Sequence, residues 1–98
     1  MDIKHLHNEI CFIWDEDKAQ KNKSKHDGIS FEQAVDTFFD PFLKVVDVSR
    51  NNENRDAVIG MDKSWNTLYV VHIQIEDDEI RIISARKATN NEREDYEN

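Results

Sequence analysis

The apolar positions of this chain fall into short runs whose period changes twice. Nothing before Ile10 shows a periodic run. Ile10-Cys11-Phe12-Ile13-Trp14 is then compact, β-branched and aromatic, as a first strand would be. Asp15 follows as an N-cap, with Glu16 and Asp17 in the first turn and Lys18, Lys21, Lys23 and Lys25 behind them. That order of charge complements a helix dipole, and Gly28 supplies the stop. A second helix is predicted from Ser30, whose spacing to Gln33 is that of a capping box. Phe31, Ala34, Val35, Phe38 and Phe39 form one stripe on it, and Asp40-Pro41 is expected to end it.

Beyond Pro41 the period becomes that of strands: Phe42 to Val48, Asp56 to Met61 and Leu68 to Ile75, expected as antiparallel neighbours. The acidic turn Glu76-Asp77-Asp78-Glu79 leads into Ile80 to Arg86, which has apolar residues on both faces and reads as a central strand. Thr89 and Glu92 have the spacing of a second capping box and start a last helix through Arg93 and Tyr96. The predicted order is β-α-α-β-β-β-β-α. This is an α+β domain over residues 1–98, with an antiparallel sheet and helices mainly on one face.

Composition adds limits. Of the 98 residues, 38% are hydrophobic and 35% charged, and the apolar ones are grouped rather than diluted, so the chain is expected to fold around one core. The lone cysteine, Cys11, reads as a buried small hydrophobe in a reducing compartment. Neither a signal-peptide segment nor a bilayer-length apolar run is visible, so a cytoplasmic protein that does not enter membranes is expected. The net charge of −8, taken over the whole chain, argues against a nucleic-acid-binding surface. The acid is concentrated, however: residues 35 to 80 hold four basic and ten acidic groups, whereas residues 81 to 98 hold four of each.

The chain has two glycines, Gly28 and Gly60, and no phosphate loop. His5 and His7 lack a third metal ligand, so no metal or cofactor is expected. Lys18, Lys21 and Lys25 with His26 repeat at helical spacing; a solvated helix face accounts for them more simply than a phosphate-contacting stripe does. Trp14 suits packing better than base stacking, and His72 within its strand suits a structural hydrogen bond better than catalysis. The densest group of chemistry lies between Ile80 and Tyr96: Arg81, Arg86, Lys87, Glu92, Arg93 and Tyr96. Metal-free RNA cleavage needs a base for the 2′-OH, cations for the phosphorane and an acid for the leaving oxygen. On composition alone, ion pairs that merely join the last strand to the last helix explain the same residues better.

Longer motifs shift that balance. Phe12-Ile13-Trp14-Asp15, Lys18-Ala19, Asn22 and Lys25 to Ala34 resemble the opening of the BrnT ribonuclease toxins. Asp40-Pro41, Arg55, Ile59-Gly60, Leu68 to His72, Ile80 to Thr89, Glu92-Arg93 and Tyr96 resemble that family's remaining signatures, in order. The resemblance implies a RelE-like fold and a type II toxin that cleaves RNA without metal, inhibiting translation and growth. It implies as partners an RNA substrate and a BrnA-like ribbon-helix-helix antitoxin, with DNA reached only through the antitoxin, in a homodimer or a toxin–antitoxin heterotetramer.

By the same resemblance the candidate catalytic residues are Arg86, Glu92, Tyr96 and His26, and the candidate RNA contacts are Lys18, Lys25, Arg81, Lys87 and Arg93. Glu92 is assigned as base or proton shuttle, Arg86 as transition-state stabiliser and Tyr96 as acid or orienting group. Two positions depart from the family pattern: Ile75 stands where an arginine is common, and Asp27 displaces the glycine after Lys25-His26. These departures and the acidic charge motivate an alternative, a weakened homologue that mainly binds antitoxin and assists repression.

Overall fold

The computed structural model describes residues 1–98. It has an α+β fold: a six-stranded, mostly antiparallel sheet and three helices. The elements are β1 (Asp2–His7), β2 (Ile10–Asp15), α1 (Glu16–Lys25), α2 (Phe31–Thr37), β3 (Lys44–Asp47), β4 (Asp56–Met61), β5 (Thr67–Glu76), β6 (Glu79–Lys87) and α3 (Asn90–Glu97). Strand order across the sheet is β1-β2-β6-β5-β4-β3. The segment from β3 to β6 is the expected antiparallel meander. β2 lies parallel to β6, which places β6 in the interior of the sheet as its apolar faces predict.

The predicted order lacked β1. The first residues pair antiparallel with β2 through a two-residue turn in which Asn8 and Glu9 both take positive φ. Its period of two is present, but the half-buried positions are Ile3, His5 and His7, so histidines stand where aliphatics would have announced a strand. His7 packs on Phe39 and His5 on Trp14, which gives both histidines a structural setting.

All three N-caps form as the sequence predicts. The Asp15 carboxylate accepts from the Lys18 N–H at 3.0 Å, and the capping boxes Ser30/Gln33 and Thr89/Glu92 are complete. α1 ends where Asp27 and Gly28 both enter the left-handed region. α2 stops at Thr37, earlier than Asp40-Pro41 suggested, and Phe38 and Phe39 continue its apolar stripe in a turn. The core holds Phe12, Trp14, Phe31, Ala34, Val35, Leu68, Val70 and Ile82, between α1 and α2 and one face of the sheet. Gly60 lets α2 approach β4: an added Cβ would stand 2.9 Å from the Thr37 carbonyl oxygen. Cys11 is half-buried rather than fully enclosed. β3 is an edge strand exposed on both faces.

Alternation divides β5 and β6 between two surroundings. Leu68, Val70, His72, Ile82 and Ala85 turn toward α1 and α2. Tyr69, Val71, Ser84 and Arg86 turn the other way, toward the β3–β4 loop and α3. A register irregularity between Val71 and His72 sets Ile83 out of the pairing and keeps Ser84 and Arg86 on this second face. Thus α1 and α2 share one face of the sheet, as expected of helices mainly on one side, and α3 crosses to the opposite face.

Candidate functional site

The site is organised by one break in the ladder. β2 pairs with β6 only as far as Arg81, so the second half of β6 presents an open backbone edge. α1 closes it. The Asn22 amide accepts from the Ala85 N–H at 3.1 Å and donates to the Ala85 carbonyl at 2.7 Å and to the Ile29 carbonyl at 3.1 Å. A buried asparagine therefore takes the place of a strand, and it brings the polar flank of α1 beside β6.

That flank forms a shallow groove of about 210 Å³ lined by Lys18, Lys21, Lys25, His26, Ile83 and Ser84. Ser84 also lines a larger cleft of about 600 Å³ whose walls include Arg50, Arg55, Tyr69 and Arg86. The two are contiguous at Ser84 and make one cationic track across β6 on a protein of net charge −8. Glu53 is the one acid along it and is bound to Arg55 at 2.9 Å.

At the end of this track stands Arg86. Its guanidinium forms two parallel bonds to Glu92, 2.7 Å and 2.9 Å, donates to the Lys87 carbonyl at 3.2 Å, and lies 4.2 Å from the centre of the Tyr69 ring. Glu92 Oε1 also accepts from the Thr89 N–H at 2.8 Å. The Arg86 bond holds the Glu92 carboxyl below the usual carboxylate range, against a smaller opposing effect of burial. Glu92 in turn raises Arg86 further above its ordinary value. A carboxylate with three donors is a weak proton acceptor; what it does strongly is fix the guanidinium.

Other candidates lie elsewhere. Tyr96 donates to Asp40 Oδ2 at 2.5 Å, where the Met61 N–H also donates at 2.8 Å, so the phenol ties α3 to the α2–β3 turn and does not line the cleft. Burial and this bond push its pKa up to about 12. Arg81 is paired with Asp2 at 2.7 Å, joining β6 to β1 across β2, and is absent from the groove. Lys87 and Arg93 line a third cleft with Trp65. His72 is buried against Phe38, with Nδ1 3.4 Å from the Val70 carbonyl, and desolvation lowers its pKa. Ile75 falls in a second register irregularity near the far end of β5, six residues from Tyr69 or about 20 Å along the strand, so an arginine there would not stand in the Arg86 cleft. No three His, Cys, Asp or Glu side chains converge as metal ligands do.

The sequence reading missed Arg50, Tyr69 and Ser84 as members of the site. Arg50 and Arg55 are presented by a hairpin turned at Asn51 and Asn52, both at positive φ. The Asn-Asn pair announces that turn, but nothing local shows that it folds over β6.

Comparison with known proteins gives a matching identity. None of the curated proteins matches the chain. Among solved structures, the 1.1 Å crystal structure of the Brucella abortus ribonuclease toxin BrnT is similar, with 25% identity and a TM-score of 0.54, over 79% of this chain and 94% of that one. The family model described as the ribonuclease toxin BrnT of type II toxin–antitoxin systems matches residues 14–92, which takes in Lys18, Lys25, His26, Arg86 and Glu92 and ends before Arg93 and Tyr96. A match of that extent over the strands and helices that build the cationic track makes this chain a member of the BrnT family of ribonuclease toxins of type II toxin–antitoxin systems.

Proposed function

We propose that residues 1–98 form one RelE-like toxin domain that cuts RNA in the cytoplasm along the groove from Lys18 to Arg86, arrests translation and growth, and is neutralised by a BrnA-like antitoxin. The observation that carries this is the Arg86 guanidinium, fixed by Glu92 and Tyr69 at the end of a cationic track on an otherwise acidic protein. In the reaction the 2′-OH gives up its proton, its oxygen bonds to the adjacent phosphorus, and the 5′-oxygen leaves with a proton. Arg86 is suited to the negative charge that builds on the phosphoryl oxygens. His26 is the groove side chain able both to accept and to donate a proton. Glu92 fits the role of positioning residue for Arg86 better than that of base, and Tyr96 that of a brace for α3.

The weakened-homologue alternative was motivated by Ile75, Asp27 and the acidic charge; Ile75 is remote from Arg86, and the cationic track gathers basic side chains despite the acidic total. The test is the purified chain, free of antitoxin, on single-stranded RNA. Cleavage is expected, and Arg86→Ala should lower its rate by roughly 10²–10³-fold, as loss of a charge-stabilising donor does, and relieve growth arrest. Intact RNA with wild-type protein across a range of pH would reject the proposal.

A further inference from the structure

One exposed feature outside this groove is costly and has no packing explanation. Trp65 is 81% exposed and sits at φ +66, a left-handed conformation rare for a bulky side chain. Its turn is held rigidly from beneath. Asp62, buried, accepts from the Ser64 and Asn66 N–H groups at 2.8 and 2.9 Å, and from the Asn66 and Gln33 amides at 3.0 Å each. Strain that the surroundings enforce on an exposed side chain points to use of that side chain.

The neighbours indicate the use. Trp65 shares a cleft of about 290 Å³ with Lys87, Arg93, Asn66, Thr67 and Ala88; no acid lines it, and neither cation has an ion-pair partner. Lys87 directly follows Arg86 at the end of β6, on the other face of the strand, and Arg93 directly follows Glu92 on α3, so this cleft adjoins the Arg86–Glu92 pair along the chain without sharing a lining residue with the Arg86 cleft. Of the other exposed apolar side chains of the meander, Phe42, Val45 and Val46 lie on or beside β3 and Ile75 near the far end of β5, and none of them lines the cleft that Trp65 shares with the two cations.

We infer that Trp65, Lys87 and Arg93 form a nucleotide subsite in which an unpaired base of single-stranded RNA stacks on the indole while its flanking phosphates meet the two cations. The subsite rests on the reading of the Arg86 groove as an RNA site, and it extends that site past the point of cleavage.

A short single-stranded RNA methylated at every 2′-oxygen is the probe, because it lacks the nucleophile and is bound without being cut. Trp14 is only 2% exposed, so quenchable fluorescence reports Trp65. Binding should quench and shield it. Trp65→Ala should weaken binding by roughly 5- to 150-fold, the equivalent of one stacked base, while Trp65→Phe retains most of it. Trp65→Gly, whose backbone suits the left-handed turn, should keep the thermal midpoint and still lose binding. Lys87→Ala and Arg93→Ala should each flatten the salt dependence. Unchanged affinity in Trp65→Ala, no change in Trp65 emission on binding, no RNA binding by wild type, or loss of antitoxin binding with RNA binding intact would each overturn the subsite. The two proposals fail separately: wild type that cuts RNA while Trp65→Ala binds the methylated probe normally removes the subsite alone. Trp65-dependent binding without cleavage removes the nuclease alone.

Discussion

Glu92 closes the capping box of α3 and also grips Arg86, and a conservative substitution separates the two roles. Gln at this position can still accept from the Thr89 N–H, so Glu92→Gln should cost less than about 1 kcal/mol of cap stability yet lower RNA cleavage by about tenfold through a loosened guanidinium. Its pH–rate profile should keep the wild-type shape, because a positioning residue does not titrate in the reaction; loss of one limb of that profile would restore Glu92 as the base. Tyr96 gives a second test, of stability. Its folded pKa is raised from 10.0 to about 12, so the protonated phenol is favoured by folding. The stability it contributes is complete below pH 10 and disappears as pH rises toward 12. Urea midpoints measured from pH 9 to 12 should fall in wild type and fall less in Tyr96→Phe.

At the scale of elements, Asn22 decides where α1 sits. Asn22→Leu would leave the Ala85 N–H and the Ala85 and Ile29 carbonyls buried without partners. At roughly 1–3 kcal/mol for each unsatisfied group, partly relieved by water, a loss of about 3 kcal/mol is expected in denaturant unfolding. RNA affinity should fall with it, since Lys18, Lys21, Lys25 and His26 hang from the same helix. The capping residues of α1, α2 and α3 were all readable from spacing because caps are satisfied within three residues of chain. β1 was not, because two of its three inward positions are histidines and its turn is Asn8-Glu9 where Asn-Gly would have signalled a hairpin.

For the whole molecule, the distribution of charge matters more than its total. The −8 net charge argues for weak attraction to a polyanion, but Lys18, Lys21, Lys25, Arg50, Arg55 and Arg86 are gathered on one track. RNA binding should therefore weaken linearly with the logarithm of salt, with about 0.7 of slope per phosphate contact on a single strand. Replacing Lys18 and Lys25 together by Glu should reduce that slope by more than 1 while leaving the thermal midpoint nearly unchanged, which salt-series binding and calorimetry would check. Asp36, Asp40 and Asp62 line a separate cleft that shares no residue with this track.

What the sequence determined by itself was whatever depends on near neighbours: the caps, the apolar stripe from Phe31 to Phe39, the meander from β3 to β6 and the motifs that carry the family resemblance. Their grouping was another matter. Arg81 and Arg86 look equivalent on one strand, yet Asp2, distant in sequence, takes the first, while Tyr69 and Glu92 hold the second. Tyr96 belongs in sequence to the C-terminal group, yet its hydroxyl donates to Asp40 on the α2–β3 turn, and Arg50, a loop cation in sequence, lines one cleft with Arg86. Ile75, where the family pattern has an arginine, stands toward the far end of β5 and outside the cleft that Arg86 lines. These outcomes turn on strand order, register and the side of the sheet to which α3 crosses, and long-range pairing sets all three.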